Sequence, residues 1–276
     1  MCDFNRKDHS FNDYGTSEIS CSDNEYLYKW LTVFRKYGYI PDRLESEPIS
    51  KLHRTEEEIL KKDVLFLEKM SVDVVMENDS DYPELLNKYL GNKNPKIIFL
   101  LGKKAILNQP SIMICGARES SDVGLDIARK CGSFVSEQGY TVASGYARGV
   151  DKAAHLGALE AGGDTLAFLP YGLSRFRVSQ AFTESFDPDK FCVASEVPPT
   201  YGFTTWNALR RNKMLAAISE AVIVIEPSDS GGTWYSANRA MRMKKPLFYF
   251  EGSRREVIEK MSPLGGDTAQ DEKWKA

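Results

Sequence analysis

The sequence predicts an α/β fold built on a mainly parallel, doubly wound sheet. Seven short apolar runs between residues 96 and 250 carry almost no polar alternation, as strands covered on both faces require. Helical stretches separate most of these runs, and the repeated strand, loop, helix order demands right-handed crossovers that gather the strand-to-helix loops at one sheet edge. Three of those loops are rich in glycine or serine, at the edge where open α/β sheets bind ligands.

Residues 1–24 are polar and acidic, rich in Ser, Asn and Asp, and are expected to form a mobile arm. Residues 25–75 are expected to form a small helical module. YLYKWLTVFRKYG places apolar residues at helical spacing, and TEEEIL from Thr55 reads as a capped helix start followed by LFLEKM. Residues 76–252 are the expected sheet domain. Its strands are KIIFLLG (96–102), SIMICG (111–116), YTVASG (140–145), DTLAFLP (164–170), FCVASE (191–196), AVIVIE (221–226) and PLFYF (246–250). Helices are expected near 122–138, 148–162, 207–219 and 233–243. Alternating charges after Gly252 predict a short helix and a flexible tail over 253–276.

A chain that is 42% hydrophobic and 27% charged is not an intrinsically disordered one, and its length allows a large buried core. The 36 Lys and Arg against 39 Asp and Glu leave a net charge of -3, so no global positive field exists and any polyanion site must be local. The balance is uneven along the chain. Residues 1–98 carry 14 basic and 19 acidic side chains, residues 99–252 carry 17 and 15, and residues 253–276 carry 5 of each, so the acidity belongs to the N-terminal part. The cysteines Cys2, Cys21, Cys115, Cys131 and Cys192 are odd in number and include no C-x-x-C pair, which suits a reducing compartment. His9, His53 and His155 are too scattered for a zinc site, and no metal or cofactor is expected. MCDFNRKDHSFNDYG has no apolar leader and no run approaches 18 apolar residues, so the expectation is a soluble cytoplasmic protein with no membrane partner.

The loops carry the chemistry. CGAR (115–118) leaves a strand through Gly116 and sets Arg118 at the mouth of the next loop. SGYARGVD (144–151) contributes Ser144, Gly145 and Arg148 before a helix that continues AAHLGAL. PSDSGGT (227–233) contributes Ser230, Gly231 and Gly232 before a helix near Trp234. Small residues at a helix start let backbone N–H groups and the positive dipole end face an anion, so these loops predict phosphate cradles. ALRRNKMLA (208–216) adds Arg210, Arg211, Asn212 and Lys213, while Met214, Leu215 and Ile218 fix its apolar face inward. Tyr146, Tyr171, Phe203 and Trp206 flank the loops as packing residues or as platforms for bases. No G-x-G-x-x-G follows a strand and no G-x-x-x-x-G-K-[ST] exists, which disfavours dinucleotide redox chemistry and P-loop hydrolysis. Asp151 reads as a first-turn capping carboxylate and His155 as an interior hydrogen-bonded residue. Glu196 and Glu226 end strands at the ligand edge, where either could hold a ribose hydroxyl or bridge an arginine.

In this order the motifs resemble the DprA/Smf family of DNA-processing proteins, from about Leu52 to Gly252. YPELL (82–86), GAR (116–118), SGYARGVDKAAHLGAL (144–159), SEVP (195–198), RNK (211–213) and SGG (230–232) are similar to that family's segments. Ala117 and Lys213 depart from its G-S-R and R-N-R. SRFRVSQ (174–180) replaces its Tyr-Pro-x-x-Asn, and no winged-helix module is expected after Gly252. The resemblance implies an extended Rossmann-like fold that binds single-stranded DNA without catalysis and loads a RecA-type recombinase in recombination and transformation. A homodimer is one assembly compatible with it. Gly116, Arg118, Gly145, Arg148, Arg211, Asn212, Lys213, Ser230 and Gly231 would form the implied pocket, and the five basic residues Arg118, Arg148, Arg210, Arg211 and Lys213 are expected to converge on it. Two alternatives share the superfamily. One is a sensor of a nucleotide-derived signal. The other is a nucleotide phosphoribohydrolase, whose catalytic Glu is Ser236 here.

Overall fold

The computed structural model describes residues 21–39, 54–182, 184–227, 231–250 and 267–269. Its strands are β1 (Asp73–Met76), β2 (Ile97–Gly102), β3 (Ser111–Gly116), β4 (Thr141–Ser144), β5 (Thr165–Leu169), β6 (Phe191–Ser195), β7 (Ala221–Ile225), β8 (Leu247–Phe250) and β9 (Asp267–Ala269). Its α-helices are α1 (Cys21–Tyr37), α2 (Arg54–Lys69), α3 (Glu84–Leu90), α4 (Asp122–Glu137), α5 (Val150–Glu160), α6 (Thr205–Ile218) and α7 (Gly232–Arg242). All seven expected strands and all four expected helices between 96 and 250 are present.

The strands form one sheet in the order β1-β2-β6-β5-β4-β3-β7-β8-β9. β6 through β9 in that order are parallel, while β2 pairs antiparallel with both β1 and β6. From β3 the chain winds outward through β4, β5 and β6, then crosses back to place β7 on the other side of β3. The strand order therefore reverses between β3 and β7, and a crevice opens at their C-terminal ends.

Two strands fall outside the expected element boundaries. β1 begins inside the expected helical module, because Asp73–Met76 pair in register with Leu100–Ile97. β9 replaces part of the expected flexible tail, as Asp267–Ala269 pair in parallel with Phe248–Phe250. Residues 1–20 of the expected arm lie outside the described residues, and α1 starts at Cys21, before the expected limit of 24.

Each strand alternates its apolar residues between two covered faces. On one face, Leu86 and Leu90 of α3, Met214 and Leu215 of α6, and Ala237 and Ala240 of α7 pack on Ile98, Leu100, Met113, Phe168 and Val224. On the other, α4 and α5 cover Ile114, Val142, Ile223 and Ile225 through Ala128, Val135, Val150 and Ala158. Leu27, Trp30, Leu31 and Phe34 of α1, with Leu60 and Leu67 of α2, join Ile97, Phe99, Phe191 and Val193 in a single cluster. The N-terminal helices thus complete the sheet's apolar cover. A bidentate pair from Arg35 to Asp63 lies beneath them, and the same Asp63 carboxylate accepts from Thr200 N at 2.7 Å, tying α1 and α2 to the segment before α6. α4 and α5 approach closely because Gly157 has no side chain: a Cβ there would lie 1.9 Å from Arg129 O.

Candidate nucleic-acid interface

A cavity of about 660 Å³ occupies the crevice between the C-terminal ends of β3 and β7. Gly116, Ala117 and Arg118 line it from the β3 loop, Gly145, Ala147 and Asp151 from the β4–α5 turn, Arg211 and Asn212 from α6, and Gly232, Thr233 and Ser236 from α7. Gly116 is required: an added Cβ would lie 2.2 Å from Ile225 O and 2.6 Å from the Val150 side chain.

The floor of the cavity is held from within. Arg211 is only 4% exposed, and its guanidinium donates to Gly145 O, to Phe168 O at 2.6 Å and to Asn212 Oδ1 at 2.8 Å. Asn212 passes the connection on by donating Nδ2 to Gly232 O at 3.1 Å. Asp151, in the first turn of α5, is buried near Arg211, but its carboxylate accepts from Ala147 N at 3.2 Å in the preceding turn and α5 has no side-chain cap, so Asp151 braces the turn instead of capping the helix as expected. Burial pushes the Asp151 carboxyl above the usual range, against the opposing pull of Arg211 and the neighbouring amides, and burial lowers Arg211 against the pull of Asp151. Arg118, exposed at the mouth, is the cation of this cavity that reaches solvent.

The three expected anion cradles are not equivalent. At the start of α4, Glu226 stands where an anion would sit: it accepts from Ser120 Oγ at 2.6 Å, Ser121 N at 2.8 Å and Ser121 Oγ, while Ser121 Oγ caps Gly124 N. At the start of α5, Val150 N already donates to Ala117 O at 3.2 Å. At the start of α7, Gly231 has φ +88° and among the described residues no side-chain oxygen caps the helix, so its first turn presents its dipole end to the cavity.

A second cavity, of about 700 Å³, continues from the first and shares Arg118, Arg211, Asn212 and Gly232 with it. It runs between α6 and α7 past Phe203, Trp234, Tyr235, Asn238, Arg239 and Arg242.

A family model for DNA recombination-mediator protein A matches residues 73–262. The chain belongs to that family. Among DprA relatives it is similar to DNA processing protein DprA of Streptococcus pneumoniae, 29% identical over 161 residues covering 58% of this chain and 56% of the relative. It is also similar to protein Smf of Synechocystis, 29% identical over 187 residues covering 64% of this chain and 45% of the relative. The chain spans about half the length of these curated relatives. The X-ray structure of S. pneumoniae DprA shares its fold with a TM-score of 0.66 over 91% of this chain and 90% of that one, at 22% identity. A DprA structure from Helicobacter pylori, described for its single-stranded DNA binding mode, gives 0.61 over 71% and 90%, at 21% identity.

The DprA-like motifs do not all turn toward the cavity. Arg210 is drawn away: it makes a two-pronged pair with buried Glu196, at 2.9 and 2.6 Å, and its guanidinium lies 3.4 Å from the Tyr39 ring centroid. Glu196 and Tyr39 thus hold Arg210 on a different side of α6 from Arg211. Arg148 is exposed and paired with Glu119 at 2.7 Å. Lys213 lines neither cavity. Burial, with repulsion from Arg239, Lys93 and Arg210, lowers its pKa. Ser144 donates to Ile114 O at 2.5 Å and is fully buried. Of the five basic residues expected to converge, Arg118 and Arg211 do so. Ser230 lies outside the described residues.

Two of the four aromatic platforms are core residues. Tyr146 is 7% exposed, with its ring against Phe176, Phe182 and Phe191, and Tyr171 packs on the same cluster. Phe203 and Trp206 are 52% and 64% exposed. His155 is fully buried with Nδ1 at 2.5 Å from Thr165 Oγ1, the interior role expected of it. Sequence reasoning missed Trp234, Tyr235, Arg239 and Arg242. The signal was there: 234, 238 and 242, like 235 and 239, are spaced by four and share a helix face.

Among the described residues, no group of three or more His, Cys, Asp or Glu is placed to hold a metal ion, and no helix is long and apolar enough to cross a membrane.

Proposed function

We propose that the chain is a single-stranded DNA-binding protein that acts without catalysis, taking backbone phosphates at the β3–β7 crevice. One observation carries the reading: Arg118 and the glycine-led start of α7 line the same cavity, above a floor that Arg211 and Asn212 tie together. Exposed Arg118 would fork onto a phosphate while the α7 dipole end faces the next, and neither group reads sequence. Single-stranded DNA recognition in the related H. pylori protein supports the choice of ligand. Passing the strand to a RecA-type recombinase, as a monomer or a homodimer, is part of the same proposal.

The non-catalytic part rests on Ser236. Its hydroxyl donates to Gly232 O at 2.9 Å inside α7, at the position where a phosphoribohydrolase would need a carboxylate to steady an oxocarbenium ion.

A cavity of about 660 Å³ is also the size of small-ligand sites, which favours a nucleotide-derived signal as the second reading. A polarisation titration with labelled single-stranded DNA and with duplex, paired with calorimetry against mononucleotides, separates the two. Preferential single-strand binding is expected. Tight mononucleotide binding with no preference for single strands would transfer the site to the sensor reading.

A further inference from the structure

We propose that the groove between α6 and α7 is a stacking track that takes the bases of the strand as it leaves the phosphate cradle. The inference rests on the single-stranded DNA reading above and extends it from Phe203 along a face of α7 that sequence reasoning did not single out.

The groove and the cradle differ in charge. Three carboxylates, of Glu119, Asp151 and Glu226, line the cradle beside its two arginines. Among the described residues the groove is lined by no carboxylate, and Arg239 and Arg242 add to the Arg118 it shares with the cradle. A polyanion leaving the cradle therefore meets a more positive surface along α7 than along any wall of the cradle itself.

The groove also presents ring faces. Phe203 is 52% exposed just before α6, although burying an aromatic ring is strongly favourable. Trp234 and Tyr235 line the opposite wall from the first turn of α7, and the Arg239 guanidinium lies 4.6 Å from the Tyr235 ring centroid. That pair fixes the ring as a flat platform with a cation on it. Arginines along a groove with interspersed aromatic faces suit a single strand, whose unpaired bases stack while its phosphates pair. A duplex keeps its bases stacked internally and has none to offer.

The test uses the full chain and a labelled dT12 oligonucleotide, with the wild type, Phe203→Ala, Phe203→Trp, Arg242→Ala, Trp234→Phe and Arg118→Ala. Phe203→Ala should bind about tenfold more weakly, as expected for one lost stacked base, while Phe203→Trp retains affinity. Arg242→Ala should lower the slope of log K against log salt by about 0.7, the value for one phosphate contact on a single strand. Tryptophan fluorescence of the wild type should be quenched by dT12, and that quenching should shrink in Trp234→Phe. If dT12 binds in an Arg118-dependent way, yet Phe203→Ala and Arg242→Ala match the wild type and quenching is unchanged in Trp234→Phe, the track is refuted and the cradle stands. If wild-type protein does not bind dT12, both readings fall.

Discussion

Replacing Arg211 with Ala should destabilise the protein far more than replacing Arg118, although both line the same cavity. Arg211 is buried and donates to Gly145 O, Phe168 O and Asn212 Oδ1, beside the buried Asp151. Its removal leaves the Gly145 and Phe168 carbonyls and Asn212 Oδ1 without their donor at the buried floor of the cavity. Each orphaned acceptor costs about 1–3 kcal/mol. With two carbonyls and Asn212 Oδ1 losing their donor beside the buried Asp151, the whole substitution should cost roughly 3–5 kcal/mol. Urea unfolding followed by circular dichroism reads this directly, and the thermal midpoint should fall by on the order of 10 °C at 2–4 °C per kcal/mol. Arg118 is exposed and carries none of these contacts, so Arg118→Ala should stay within about 0.5 kcal/mol of wild type. Arg211→Lys should fall between, since an ammonium keeps the charge and can bond carbonyls but lacks the separate Nε–H that holds Asn212 Oδ1. A loss below about 1 kcal/mol for Arg211→Ala, or an equal loss for Arg118→Ala, would refute the assignment of Arg211 as the rigid floor.

Arg210→Ala should also destabilise, by about 3–5 kcal/mol, because it leaves Glu196 buried at 2% exposure without its cation. The affinity of the folded fraction for single-stranded DNA should be unchanged, as a titration corrected for active protein would show. His155 is held neutral, its pKa pushed down to about 3 from 6.5 by burial and then by Arg211 and Lys152. The unfolded chain therefore takes up the proton first, and stability that is complete above pH 6.5 should drain away as pH falls toward 3, by up to about 1.4 kcal/mol per pH unit. Chemical unfolding at a series of pH values, compared with His155→Gln, isolates that slope, and a slope that survives in the variant excludes His155 as its source. Gly116→Ala should cost about 1–3 kcal/mol by forcing β3 away from Ile225 O, and an unchanged unfolding midpoint would contradict the close approach.

The central sheet was legible because buried parallel strands write themselves as unbroken apolar runs, such as IIFLLG and AVIVI. β9 was not legible, since DTA carries no apolar pattern and owes its place to pairing with β8. β1 is a four-residue DVVM at the end of a helical stretch, and its pairing with β2 is equally nonlocal. In the site, the glycine-led loops located the crevice correctly. What they could not reveal was which anion positions the protein fills for itself. Glu226 closes the start of α4 from a strand 105 residues away from Ser121. Tyr39 and Glu196 claim Arg210, through contacts that no local spacing encodes.

The salt dependence of oligonucleotide binding tests the central claim most directly. Binding of labelled dT12 by the wild type should weaken steeply as salt rises, with a log–log slope of about -0.7 per phosphate held, and Arg118→Ala should bind more weakly with a slope shallower by about 0.7. Binding that ignores salt, with Arg118→Ala indistinguishable from wild type, would contradict a phosphate cradle at the β3–β7 crevice.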